Sequence, residues 1–517
     1  MYPMCGAFKV EARTPHGCRI ANARHVTHAT FAPPRPMNPN SGHSPSRRTF
    51  LANAASSGLL VALGKSSPAF AEDASPAPAS GALLPSNFAN PADSPIHALL
   101  KDVPLPRMVA IEMAFERPVL TDVGRSFAEK LHASRVLEAI RPGMSVAVGA
   151  GSRGIANLPL ITRLLVEELK KAGAKPFIFP AMGSHGGATP DGQRAVLARM
   201  GFTEEMMGVP IRATMDVVQV GSTPDGLPAY VDAIAAAADG IIVVNRIKPH
   251  TSFRGAVESG LSKMIVIGVG KQKGAETCHN LGYGRMEQNL VALCRATLAS
   301  GKILFGVGLI ENAYHETSQV AIVPAAQIEA EEPRLLNEAR KLMPTVPIPL
   351  LDVLLIDEVG KNISGTGFDP NVVGRYPTAD VVLTERDPRI TRIAVLNITD
   401  VSDGNGTGLG IADFTTERVF RKFNFVETYC NLLTSTTATA GKIPMVMRNE
   451  QQAIQAAIKT CLIADPRKVR LARIKNTLSL DRMLISENLV EEALRNPRIK
   501  IAGPVSDMAF DADGNLR

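Results

Sequence analysis

The stretch MSVAVGAGSRGIANLPLITRLLVEELKKAGAKPFIFP, residues 144–180, decides the fold class. Met144-Ser145-Val146-Ala147-Val148 is a short apolar strand. From about Leu158 to Lys171, Leu160, Leu164, Leu165 and Leu169 recur at helical spacing. Ala172-Gly173-Ala174 closes that helix, and Pro176-Phe177-Ile178-Phe179 is the next strand. Strand, helix and strand in this order make a βαβ unit, the building block of an α/β fold.

The pattern continues outward. Ile241–Val244 is a second buried-type strand, preceded by a helical run from Val231 to Ala237, and Lys302–Val307 adds another. Met343-Pro344-Thr345-Val346-Pro347-Ile348-Pro349 is a proline-rich connector that breaks helix, across which few contacts are expected. Val353–Ile356 opens a second α/β unit, Ile393–Leu396 is another strand, and helical patterns follow at 449–463 and 488–495. The expectation is α/β, with a domain at 96–346, a second at 347–517, and the active site in the cleft between them.

At 517 residues the chain exceeds one ordinary core. Its 45% hydrophobic and 20% charged residues are usual for a globular protein. Much of the net charge of +7 comes from the N-terminus, where Lys9, Arg13, Arg19, Arg24, Arg35, Arg47 and Arg48 face a single acid, Glu11. The body is nearly neutral, there is no Trp, and only six Tyr are present, which argues against nucleic-acid binding. Cys278, Cys294, Cys430 and Cys461 are widely spaced with no CxxC, so they read as four buried thiols rather than a zinc site or a disulfide framework.

Ser46-Arg47-Arg48-Thr49-Phe50-Leu51 is a twin-arginine motif, followed by an apolar stretch from Leu51 to Leu63 and by Ala69-Phe70-Ala71, a small-x-small cleavage pattern. Residues 1–71 are expected to be an N-terminal extension and signal peptide, cleaved near Ala71 to leave a periplasmic protein that starts near Glu72. Met37 is a sensible alternative start to Met1. The apolar run is too short for a permanent membrane span. Twin-arginine export moves folded proteins, which suits one that acquires a cofactor in the cytoplasm. Residues 72–95, rich in Pro, Ala and Ser, read as a flexible lead-in.

Gly149-Ala150-Gly151-Ser152-Arg153-Gly154 satisfies G-x-G-x-x-G between strand and helix. The next strand ends Phe179-Pro180-Ala181-Met182 without the acid a ribose needs, so the turn reads better as an anion nest with Arg153 for a carboxylate, or as a tight turn alone. Gly183-Ser184-His185-Gly186-Gly187 follows the second strand, and Pro249-His250 follows the strand at 241–244. Two histidines at the ends of parallel strands of one sheet can face each other across a ligand, and imidazole gives and takes protons near neutrality. Lys263 stands in an apolar segment, where burial lowers an amine's pKa and frees it for covalent chemistry. Lys271 and Lys273 lie in a more polar stretch and read as solvated. His279, sixteen residues after Lys263, is a candidate metal ligand.

Together these residues resemble the nickel-pincer lactate racemase family, over roughly residues 140–290 and more loosely beyond. The resemblance implies that Arg153 holds the substrate carboxylate and that His185 and His250 are the acid/base pair. It implies a pyridinium-derived pincer on Lys263 and nickel ligation by His279. The His250-to-Lys263 spacing of thirteen is longer than in the family's short form, and Gly260-Leu261-Ser262-Lys263 replaces its Gly-Gly-Arg-Lys. The family's Tyr-Gln-x-x-Lys pair has no clear match. Its place is expected in Gly360–Gly365, with Lys361 binding substrate, or in Asp369-Pro370-Asn371.

The implied reaction is racemisation or epimerisation of a small 2-hydroxy acid, with a sugar acid as one candidate in place of lactate, by hydride transfer through a planar 2-keto intermediate. The implied partners are cofactor-synthesis proteins and the twin-arginine export machinery. Two other readings stand beside it. An exported solute-binding protein for a small carboxylate needs no lysine-bound cofactor, and a nicotinamide-dependent dehydrogenase would use the Gly149–Gly154 turn.

Overall fold

The structure is a computed structural model that describes residues 91–517 apart from 92, 379–380, 382 and 385–386. The expected signal peptide, its cleavage site at Ala71 and most of the lead-in lie outside the described residues. In chain order the strands begin β1 (Met108–Met113), β2 (Ser145–Ala150), β3 (Lys175–Pro180), β4 (Val217–Ser222) and β5 (Pro228–Asp232). β6 (Gly240–Arg246), β7 (Ile303–Glu311), β8 (Thr317–Pro324), β9 (Leu350–Ile356) and β10 (Arg389–Val395) follow. The last are β11 (Phe414–Thr416), β12 (Met445–Met447), β13 (Leu471–Asn476), β14 (Ser479–Ser486) and β15 (Ile499–Ile501).

The fold is α/β. One sheet has the order β3-β2-β6-β7-β8, parallel through its first four strands with β8 antiparallel at the edge. Val146, Ala147 and Val148 are fully buried, as a strand covered on both faces requires. The βαβ reading holds residue for residue in its helix, Leu158–Lys171. Ile161, Leu165, Val166 and Leu169 of that helix are fully buried in one cluster with Val146, Val148 and Phe202, each side chain contributing roughly 1.5–3 kcal/mol. Pro159 sits in its first turn, where no backbone N–H is missed. The run from Val231 is helical only over Ala233–Ala237, because Val231 belongs to β5, paired antiparallel with β4.

The other sheet has eight strands, ordered β12-β11-β10-β9-β13-β14-β1-β15. Its strands from β12 to β13 run parallel, and β14, β1 and β15 add antiparallel neighbours. β1, on the N-terminal side of the expected boundary near residue 346, pairs with β14 through Met108↔Ser486 to Glu112↔Arg482. Among the described residues the first strand thus lies in the sheet that the C-terminal half builds, and the chain then leaves to form the other. No helix among the described residues is long and apolar enough to cross a membrane. Three of the four thiols are buried as expected, but Cys430 is exposed, on the helix Phe425–Ser435.

Candidate active site

β3, β2 and β6 are parallel and in register, with Gly149 opposite both Phe179 and Val243, so their C-terminal ends share one edge. The chain moves from β2 to β3 on one side, then crosses to β6 on the other. That reversal opens a crevice at the strand ends, where α/β sheets bind ligands. The loops after these three strands carry Ser152 and Arg153, His185, and His250 with Lys263.

The loop after β3 is built to expose its histidine. Gly183, Gly186 and Gly187 all have positive φ. A Cβ on Gly186 would lie 2.5 Å from the carbonyl carbon of Gly192, so no side chain fits there. The imidazole Nδ1 of His185 makes a short hydrogen bond with the Ser152 hydroxyl. Burial, with Arg153, Lys361 and Lys263 nearby, holds His185 well below the usual histidine pKa.

The long spacing from His250 to Lys263 is taken up by a loop closed at its base, where Lys248 and Ser259 exchange backbone hydrogen bonds of 2.8 and 3.2 Å. A buried carboxylate organises the loop from inside. Glu258 accepts from the N–H groups of His250 at 2.5 Å and Gly255 at 3.2 Å, and pairs with Arg340 at 2.6 Å. Nδ1 of His250 accepts from the Ser252 N–H at 3.0 Å, which leaves the proton of the neutral ring on Nε2. The ring packs on Phe253, with centroids 4.5 Å apart. Burial first, then the charges of Lys263, His279, Lys248 and Arg254, hold its pKa well below the usual range.

Lys263 ends the short helix Leu261–Lys263, which runs straight into a π-helical segment, Met264–Val269, and then the helix Lys271–His279. Such wide turns concentrate at functional sites. Its amine has no hydrogen-bond or ion-pair partner among the described residues, and burial lowers its pKa to about 8. His279 donates from Nδ1 to the Ala275 carbonyl at 2.6 Å, which leaves the Nε2 lone pair for a ligand. Burial brings its pKa down to about 4, with Lys263 adding to the effect. Lys263 is thus one of the charges that, after burial, depress all three imidazoles. Cys278 is packed against Met286, and burial raises its pKa to about 12, so it is an inert thiol.

Under Lys263 lies a carboxyl that no sequence motif marks. Glu332, on the helix Ile328–Leu342, accepts from the N–H of Ser262 at 2.8 Å and from its hydroxyl at 2.5 Å. Gly260 leaves it room, since a Cβ there would collide with Oε1. Burial pushes the Glu332 carboxyl up to about 7. A folded-state pKa raised above the unfolded value stabilises the fold fully below about pH 4.3, and that contribution is lost as pH rises through about 7. Glu332→Gln cannot ionise. The difference in melting temperature, variant minus parent, is expected to be more positive at pH 8 than at pH 5. A difference independent of pH would show that Glu332 does not titrate there.

The second sheet closes the site. Arg153 Nη1 donates to the Lys361 carbonyl at 3.4 Å, and burial beside Arg246 lowers the Arg153 pKa to about 10. The Lys361 amine donates to the Gly365 carbonyl at 2.7 Å and to Asn431, and burial with Arg153 nearby holds its pKa well below the usual value. Asp369 pairs with Lys248 at 2.9 Å, and Asn371 donates to the His250 carbonyl at 3.2 Å. Of the two expected segments, Gly360–Gly365 thus meets Arg153, and Asp369-Pro370-Asn371 braces the His250 loop. Ser152, Glu258, Glu332 and Asn431 were not among the expected residues. Ser152 alone had a signal, standing inside the Gly149–Gly154 turn. The expectation that Lys271 is solvated is wrong: its side chain is fully buried.

Residues 107–290 match the family model of the lactate racemase N-terminal domain. Over this stretch the chain is similar to the lactate racemase N-terminal domain. The lactate racemase-like stretch contains Arg153, His185, His250, Lys263 and His279, and Lys361 lies beyond it. Eight chains of solved structures match. Among them are a lactate racemase apoprotein from Thermoanaerobacterium thermosaccharolyticum and a structural-genomics protein from Thermotoga maritima. The first is 11% identical over 72% of this chain and 99% of its own, with a TM-score of 0.45. The second is 13% identical over 71% and 99%, also at 0.45. No curated protein matches the chain.

Proposed function

We propose that this protein is a racemase or epimerase of 2-hydroxy acids, sugar acids rather than lactate, that works with a nickel-pincer group on Lys263. The similarity of residues 107–290 to the lactate racemase N-terminal domain supports a racemase-type activity in general; the cofactor, substrate and residue roles are our reading. One observation carries it. Arg246, Lys248 and Arg340 each pair with a carboxylate, Glu311, Asp369 and Glu258 respectively. Arg153, Lys263 and Lys361 pair with no carboxylate among the described residues. Buried cations that have no carboxylate partner of their own suit an anionic ligand.

The residues fit a tethered metal group. Lys263 offers an amine with no competing partner, and His279 offers a neutral nitrogen whose ring is oriented by its other N–H. Among the described residues no group of three or more His, Cys, Asp or Glu is placed to hold a metal, so further donors would belong to the tethered group. When bound, the group supplies a reversible hydride acceptor, needed because a carbinol C–H is too weak an acid for histidine to deprotonate. Arg153 holds the substrate carboxylate, with Lys361 beside it. One histidine takes the proton of the C2 hydroxyl as the carbon becomes planar. The other returns a proton to the oxygen when the opposite face is reduced. Ser152 fixes the ring of His185, and the Ser252 N–H fixes that of His250.

Export by the twin-arginine route, with cleavage near Ala71, is part of the proposal and rests on the sequence alone. One preparation tests the whole reading: mature protein from a host able to make the cofactor. Its intact mass is expected to start near Glu72 and to carry added mass on the Lys263 peptide with stoichiometric nickel. Chiral chromatography after incubation with hydroxy and sugar acids should show epimers. A bare polypeptide that binds carboxylates without interconverting them would favour the exported binding protein instead.

A further inference from the structure

We infer that Lys271 and Gln193 are positioning residues for His185, tying the loop that carries it to the helix that ends in His279. The inference rests on the acid/base role proposed for His185. Lys271 and Gln193 are both fully buried. Lys271 opens the helix Lys271–His279 in a left-handed conformation, with φ of 57°, rare for a residue with a side chain. Its amine donates to the Pro180 carbonyl at 2.8 Å, where β3 ends, and to the side-chain oxygen of Gln193, and it lies 3.6 Å from Asp232 Oδ2. That oxygen has no hydrogen-bond partner.

With its oxygen turned to the amine, the Gln193 amide presents both N–H groups to the other side. Nε2 donates to the carbonyls of Gly183 at 2.9 Å and of His185 at 3.2 Å, on either side of Ser184. These carbonyls belong to a loop of positive-φ residues outside any sheet ladder, so without Gln193 those contacts are lost. A chain of polar contacts thus runs from the helix bearing His279 to the backbone of His185. Burying a lysine is costly, and an apolar side chain would fill the space at less cost. Geometric control of His185 is what the lysine adds.

Gln193→Glu tests this in the holoenzyme. A carboxylate still accepts from Lys271 but cannot donate to either carbonyl. The expected result is kcat lower by about 10- to 100-fold, with KM within about threefold and the Lys263 mass adduct and nickel unchanged. In ¹⁵N-histidine NMR the His185 ring shifts should move while those of His250 and His279 stay. Unchanged kcat with unchanged His185 shifts would overturn the inference. Lys271→Met should give the same pattern; if it does not accumulate as folded protein, Gln193→Glu decides alone. The NMR shifts are read without turnover. If the parent interconverts no hydroxy acid, the proposed function falls, while the shifts still report whether Gln193 governs His185.

Discussion

Lys263→Ala is expected to abolish interconversion completely, and the intact mass should lose the adduct together with most of the nickel. The amine is a nucleophile without a partner among the described residues, and its lowered pKa, about 8, leaves an appreciable neutral fraction near neutrality. Lys263→Arg should fail equally, because guanidinium stays charged and is a poor nucleophile. An adduct retained in either variant would place the attachment elsewhere. Loading has an electrostatic effect as well. Burial chiefly, and then cations that include Lys263, depress His185, His250 and His279. Acylating the amine would remove the Lys263 charge, so the imidazoles of His185 and His250 are expected to rise in pKa. Histidine titrations of loaded and unloaded protein would show the rise.

His185→Ala and His250→Ala should each lower kcat by about 10²- to 10⁴-fold while the Lys263 adduct and nickel remain. Burial and the neighbouring cations favour the neutral form of each imidazole, so either histidine can serve as the base in its direction of the reaction. Because the scheme needs one histidine neutral and the other protonated, kcat/KM in the parent is expected to pass through a maximum and to fall on both its acid and its alkaline side. Near-full activity in either variant would remove the two-base scheme. Loss of adduct along with activity would instead make that histidine a structural element of the cofactor pocket.

The candidate residues were legible where chemistry coincides with local position. Arg153, His185 and His250 each follow an apolar strand of one parallel sheet, and the helix at 158–171 declares its period plainly. What escaped was set by pairing distant in sequence. β1 reads as an apolar strand on its own, and only its register with β14, about 370 residues on, decides which sheet it joins. Lys271 looks solvated beside Gln272 and Lys273, yet a left-handed turn swings it beneath β3. Val231 carries no mark that separates the end of a strand from the start of a helix. Glu258 and Glu332 are ordinary surface residue types that loops and a distant helix bury.

The wide turn after Lys263 bears on sequence spacing. In an unbroken α-helix, residues sixteen apart point about 160° away from each other. Lys263 and His279 would then look to opposite sides. The π-helical segment and the left-handed Lys271 dephase the helix between them, and both side chains act on the His250 imidazole. The interval of sixteen is therefore a corner measured in residues rather than a helical repeat. Inserting or deleting one residue between 264 and 271 is therefore expected to rotate His279 away from Lys263.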